Sequence, residues 1–134
     1  MDKEMILDIL DLVDDDFDMG VAEITVGPRQ IQALKDNNLL DMEVSVGEGP
    51  SVKELLDFAD RHPDKYIEFT LLVTEPSRAD FRIAINAITI PPECTQLNND
   101  KDKAFWADFM KFKKKGNPEM VDTPHFIAWL WNAE

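Results

Sequence analysis

Glu4, Asp8, Asp11, Asp15 and Asp18 recur at intervals of 4, 3, 4 and 3 residues, the spacing that lines side chains along one stripe of a helix. With a rise of about 1.5 Å per residue, such a stripe presents a carboxylate roughly every 5 Å. A row of this kind imitates backbone phosphates to a protein that grips nucleic acid through cationic side chains, by charge rather than by base sequence. Asp14 and Asp16 thicken the same segment, so Glu4, Asp8, Asp11, Asp14, Asp15, Asp16 and Asp18 make up the candidate partner-binding set. Ile6, Ile9, Leu10, Val13 and Phe17 would then turn towards a core. Two effects oppose one long helix: like charges at i and i+4 repel, and aspartates near a helix C-terminus oppose its dipole. A helix over Lys3 to Val13, with Asp14 to Asp18 in a loop, is therefore the alternative. The plain reading of the row is a solvated acidic face.

The alternation Asp14, Asp16, Asp18 is that of oxygen ligands in the first half of an EF-hand loop. Met19 stands where that loop needs glycine and Thr25 where it needs the bidentate glutamate, so no specific metal site is expected. His62-Pro63-Asp64 resembles the tripeptide of J-domain co-chaperones and follows a helical segment. That likeness would imply a helix after the tripeptide and a basic helix before it. Here Tyr66 to Val73 reads as strand, and Glu54, Asp57 and Asp60 precede. A helix stop made by proline, with His62 at the negative end of the dipole, accounts for the same residues.

Gly47-Glu48-Gly49-Pro50-Ser51 lacks the third glycine of a dinucleotide fingerprint and the lysine of a P-loop; Pro50 removes a donor and Glu48 would repel phosphate. Ser45, Ser51 and Ser77 lie in no nucleophile-elbow context. His62 and His125 have no ligand spacing with each other or with Cys94. Neither catalysis nor a cofactor is expected.

Charge is distributed as unevenly as the motifs suggest. The first sixty residues hold 16 Asp or Glu against 4 Lys or Arg, and the other seventy-four hold 11 against 10, within a net charge of −13. A one-sided field of this sort repels nucleic acid and acidic membranes and attracts cationic surfaces. The partner expected is a basic protein, not nucleic acid and not a membrane. Lys111, Lys113, Lys114 and Lys115 are the one basic cluster and complement a helix end; pairing them with the acidic half of a second copy would allow a homodimer.

The elements that must position these groups are legible in pattern. Ala22 to Gly27 and Met42 to Gly47 match in residue type position for position, and Pro28 and Pro50 follow. Both read as strand, glycine turn and helix. Helices are expected over about Pro28 to Asn37 and Ser51 to Arg61, the second started by a Ser51/Glu54 capping box. If the two strands pair in parallel, Gly27, Arg29, Gly47 and Ser51 meet at one sheet edge, a reserve site for a small anionic ligand. Two alternating stretches, 66–73 and 81–86, read as a hairpin about Glu75-Pro76-Ser77. The parity change from Ala87 to Ile90 signals a bulge or a strand buried on both faces.

A helix from about Asp100 to Lys115 is capped by Asn98, Asn99 or Asp100 and stopped by Gly116 and Pro118. A short helix over Pro124 to Trp131 follows, although its alternation also permits a strand. Trp106, Trp129 and Trp131 are core candidates, and the last two would anchor an interface if exposed.

These elements define an α+β (mixed α/β) chain, one small domain of 134 residues with a four-stranded mixed sheet, two echoed strand-turn-helix units, a hairpin and aromatic C-terminal helices. One cysteine, no apolar run of about 18 residues and a start that is not basic-then-apolar make the cytoplasm the default location. The functional expectation is a noncatalytic acidic protein-binding module. Its sharper form is a phosphate-mimicking inhibitor of a nucleic-acid-binding protein, of the type phages use against host defence. The alternatives are a small-molecule or anion-binding domain, with or without catalysis, near Gly27 and Gly47, or a structural subunit with an apolar patch at Trp129 and Trp131.

Overall fold

In the computed structural model, which describes residues 3–95 and 99–132, the chain runs α1 (Lys3–Leu10), β1 (Val21–Val26), α2 (Pro28–Asp36), α3 (Val52–Arg61), β2 (Glu68–Thr74), β3 (Ile83–Ile90), α4 (Asp100–Met110), β4 (Glu119–Asp122) and β5 (Ile127–Leu130). Single 3₁₀ turns occupy Asp14–Asp16, Pro92–Thr95 and Lys111–Lys114. The architecture is α+β, and its sheet is five-stranded in the order β1-β2-β3-β5-β4, with every described pair antiparallel. It is neither four-stranded nor mixed: two local readings change, and β4, where no element was expected, pairs with β5 as a further strand.

The first is the internal echo. Met42 to Val46 forms no strand of the sheet. The N–H groups of Val52 and Lys53, orphaned at the start of α3, bond to the carbonyls of Val44 and Met42 at 2.8 and 3.0 Å. An isolated Ser45–Ser51 bridge is what strand pairing the segment has. Its carbonyls thus cap a helix instead of entering a ladder, while Leu40, Met42 and Val44 still pack against the core. The strand beside β1 is β2, far along the chain, in register from Val21↔Thr74 to Val26↔Phe69.

The second is the C-terminus, where residues 127–130 are strand and not helix. Thr123 closes a tight turn with Phe126: its Oγ1 accepts from the N–H of His125 and of Phe126 at 3.2 and 3.0 Å. Ile127 and Trp129 then fall opposite Ile90 and Ile88 on the core face. Pairing with β3, which sets alternate residues on the core face, decides for the strand that the alternation permitted beside the expected helix.

The remaining elements follow their signals. α1 ends at Asp11 (φ 54°), where the N–H groups of Asp11 and Leu12 reach back to the carbonyls of Asp8 and Leu7, and α2 ends the same way at Asn38 (φ 55°). Asp and Asn tolerate this left-handed position better than most residues. Ser51 Oγ accepts from Glu54 N–H at 3.2 Å while Glu54 reaches back to Ser51 N–H. Ser51→Ala is therefore expected to lower the unfolding free energy by about 1 kcal/mol in a urea titration, with Ser51→Asp largely restoring it. Asn99 caps α4 through Asp102 N–H at 2.9 Å, whereas Asn98 lies outside the described residues. The β2–β3 register slips between Thr70 and Leu71, leaving Asn86 as the extra residue of a bulge in a strand buried on both faces.

Register and alternation sort the sheet into two faces. Val26, Phe69, Leu71, Ile85, Ile88 and Trp129 turn towards the helices. There Phe58 of α3 sits 5.4 Å from the ring of Phe105 and 5.3 Å from that of Phe112, and Phe109 lies 6.0 Å from Trp129. Trp129 Nε1 donates to Phe109 O and Trp131 Nε1 to Lys115 O, so each buried indole has its partner.

Candidate functional site

All seven carboxylates of the acidic set are exposed. They do not form one helical row. α1 carries Glu4 and Asp8, Asp11 sits at its left-handed end, Asp14 to Asp16 make a 3₁₀ turn, and Asp18 bridges to Val21 at the start of β1. The Asp16 carboxylate accepts the N–H of Val13 at 2.8 Å and so caps the turn. Helix termination at Asp11 replaces a periodic stripe by a short acidic lobe leading into an edge strand. Among the described residues one internal cation meets the set: Lys3 lies 3.1 Å from Asp14 and 3.0 Å from Glu75. Hydrogen bonds to Glu75 and then to Asp14 hold the Lys3 ammonium above its usual range.

Apolar exposure in the lobe is what the periodicity hides. Val13, Met19 and Val21 are 61%, 94% and 40% exposed, three of the four large hydrophobic residues so exposed among the described residues, the other being Tyr66. A continuous helix would put Val13 on the core side; α1 stops before it can turn inward. Ile6 and Leu10 are buried as expected, while Ile9 and Phe17 are half-buried. The sequence hides this exposure, because Val13, Phe17 and Val21 recur at intervals of four and one continuous helix would turn all three to the core.

The reserve residues are not brought to one sheet edge, because the second strand they needed is absent. Gly27 is buried at the start of α2, with its N–H taken by Gln30 Oε1 at 3.2 Å. Arg29 is exposed on α2. Gly47 lies in the α2–α3 loop, and Ser51 Oγ is committed to its cap. A cleft of about 230 Å³ between α2 and α3 is lined by Lys35, His62 and Lys65 over Ile31, Leu56 and Phe69. His62 is fixed there by Asp108, 2.7 Å from its Nε2, and its ring packs against Phe58 and Phe105. Asp64 pairs with Lys101, and the next regular element is β2. His62-Pro63-Asp64 is thus a helix stop built into the fold.

Among the described residues no three His, Cys, Asp or Glu side chains converge as metal ligands would. Trp129 and Trp131 are buried, so they build no exposed patch; Trp106 is half-buried. In the lysine cluster, Lys115 pairs with Glu54 at 3.2 Å within the molecule, while Lys113 and Lys114 are exposed. No helix among the described residues is long and apolar enough to cross a membrane. Compared with protein-family models, curated proteins and solved structures, the chain matches none.

Proposed function

We propose that the chain is a noncatalytic binding protein whose acidic N-terminal lobe receives a basic surface of a partner protein. The observation that carries this reading is the coincidence of exposed carboxylates, mostly without internal counter-charges, with exposed Val13, Met19 and Val21 in the same lobe. Carboxylates alone would suit any cation. Apolar side chains held in water beside them favour a protein surface with a greasy centre and a cationic rim. Inhibition of a nucleic-acid-binding protein by phosphate imitation, of the phage anti-defence type, is the special case in which that rim is the partner's nucleic-acid site. The break at Asp11 makes the imitation one of charge density rather than of regular spacing.

The test is binding to the protein retained from a native-host lysate, measured with the purified partner at low and high salt. Asp14→Asn/Asp15→Asn/Asp16→Asn is expected to weaken binding at least about tenfold at low ionic strength and far less near 1 M salt, where the screening length falls to about 3 Å. Met19→Ala should weaken it at both. Retention indifferent to salt and to the triple substitution would end the proposal. The rival ligand-binding reading now rests on the α2–α3 cleft; saturable stabilisation of the chain by phosphate or a short-chain carboxylate, lost in Lys35→Ala, would favour it.

A further inference from the structure

The sheet face turned away from the helices carries a trough of about 370 Å³, lined by strand residues and by Phe126 of the β4–β5 turn, so no described helix closes it. Its floor is Ala87 and Ala128, and Thr70, Thr89 and Leu130 rise around it. An antiparallel sheet with one face in water ordinarily puts polar side chains there. Here Ala87, Val121, Ala128 and Leu130 stand at the centre among Thr25, Thr70 and Thr89. Glu68 lies in the trough, Glu23 stands on edge strand β1 and Glu119 on edge strand β4, and none of the three has an ion pair among the described residues. No lining residue is basic. Arg82, at the far end of the hairpin, lines a separate cleft with Leu39 and Asp41.

We infer that this face docks a cation-flanked amphipathic helix of a protein partner, an inference that rests on the acidic-lobe reading and adds its apolar anchor. Charge selects the occupant. A second copy would set carboxylates against carboxylates and −13 against −13, and nucleic acid is repelled in the same way. Dimensions agree with a helix: five strands about 4.8 Å apart span roughly 20 Å, and a helix about 10–12 Å in diameter laid on the trough leaves its flanking cations above Glu23 and Glu119. Exposed Val21 begins β1 beside Asp18, so one partner can cover the trough and the acidic lobe together.

The probe is a synthetic helical peptide with one leucine stripe flanked by lysines, titrated into the isotope-labelled full chain, with the same stripe flanked by glutamates as comparison. Amide shifts are expected at Thr70, Ala87, Thr89 and Leu130 with the lysine peptide only. Thr89→Arg should weaken its binding at least about tenfold. Glu23→Gln/Glu68→Gln/Glu119→Gln, which keeps the shape, should weaken it several-fold and flatten its salt dependence. Asp14→Asn/Asp15→Asn/Asp16→Asn should leave shifts at the trough in place, which separates this inference from the lobe reading. Shifts confined to other surfaces, equal binding of the glutamate peptide, indifference to Thr89→Arg in a folded variant, or self-association through this face would each overturn it.

Discussion

Gly116→Ala is expected to lower the unfolding free energy by about 3 kcal/mol, the sum of a left-handed backbone penalty of roughly 1–2 kcal/mol and an overpacking cost of similar size. Gly116 has φ 71°, and a Cβ there would stand 2.5 Å from Gly49 N and 2.6 Å from both Gly49 Cα and Glu48 C. These are backbone atoms and cannot swing aside. Nor can the loop retreat freely, since a Cβ on Gly49 would itself lie 2.8 Å from Trp131 Cδ1. The two glycines let the α4–β4 junction, the α2–α3 loop and the last indole pack in one stack. Gly47, exposed with φ 57°, is the control, because its substitution by alanine meets chiefly the backbone penalty. Urea denaturation gives the two costs, and Trp131 fluorescence should shift in the Gly116 variant alone. Displacement of Trp131 also disturbs β5, so the same variant should weaken peptide binding at the trough. A Gly116 cost no greater than that of Gly47 would mean the stack can open.

Asp108→Asn is expected to cost about 2 kcal/mol at neutral pH, the scale of losing hydrogen bonds to charged groups, reduced from a fully buried pair because Arg61 is 53% exposed. Asp108 receives two bonds from the Arg61 guanidinium, at 2.9 and 3.1 Å, and lies 2.7 Å from His62 Nε2. It ties the end of α3 to α4. Burial alone would push its pKa up; the bonds from Arg61 and His62 outweigh burial and hold it below the ordinary 3.8. A carboxylate depressed in the folded state contributes stability that is complete above its unfolded pKa and is lost as pH falls through its folded one. The gap between the native chain and Asp108→Asn should therefore be widest above pH 3.8 and close below it. A gap constant from neutral pH to well below that value would show that the carboxylate's charge contributes nothing.

Where signals are local, the elements can be read from the sequence. The Ser51/Glu54 box, the proline that opens α2, the alternation of β2 and the asparagine cap of α4 each depend on residues within one turn or one pleat, and each stands in the fold. The acidic set is equally legible as a composition. Its shape is not, because whether α1 passes Asp11 depends on a left-handed residue closing the helix against Asp8 and Leu7.

By itself the sequence determined the α+β class, the aromatic cluster that supports one face of the sheet and the uneven charge that defines the lobe; all three follow from residue type and short-range period. Only the tertiary structure decided that Met42 to Val46 caps a helix, that Ile127 to Leu130 is a strand, and that Val13, Met19 and Val21 stay in water. Those outcomes turn on which distant backbone groups and apolar faces find each other. Strand pairing rewards the best match of faces anywhere along the chain, and nothing within a few residues of either strand reports where that match lies.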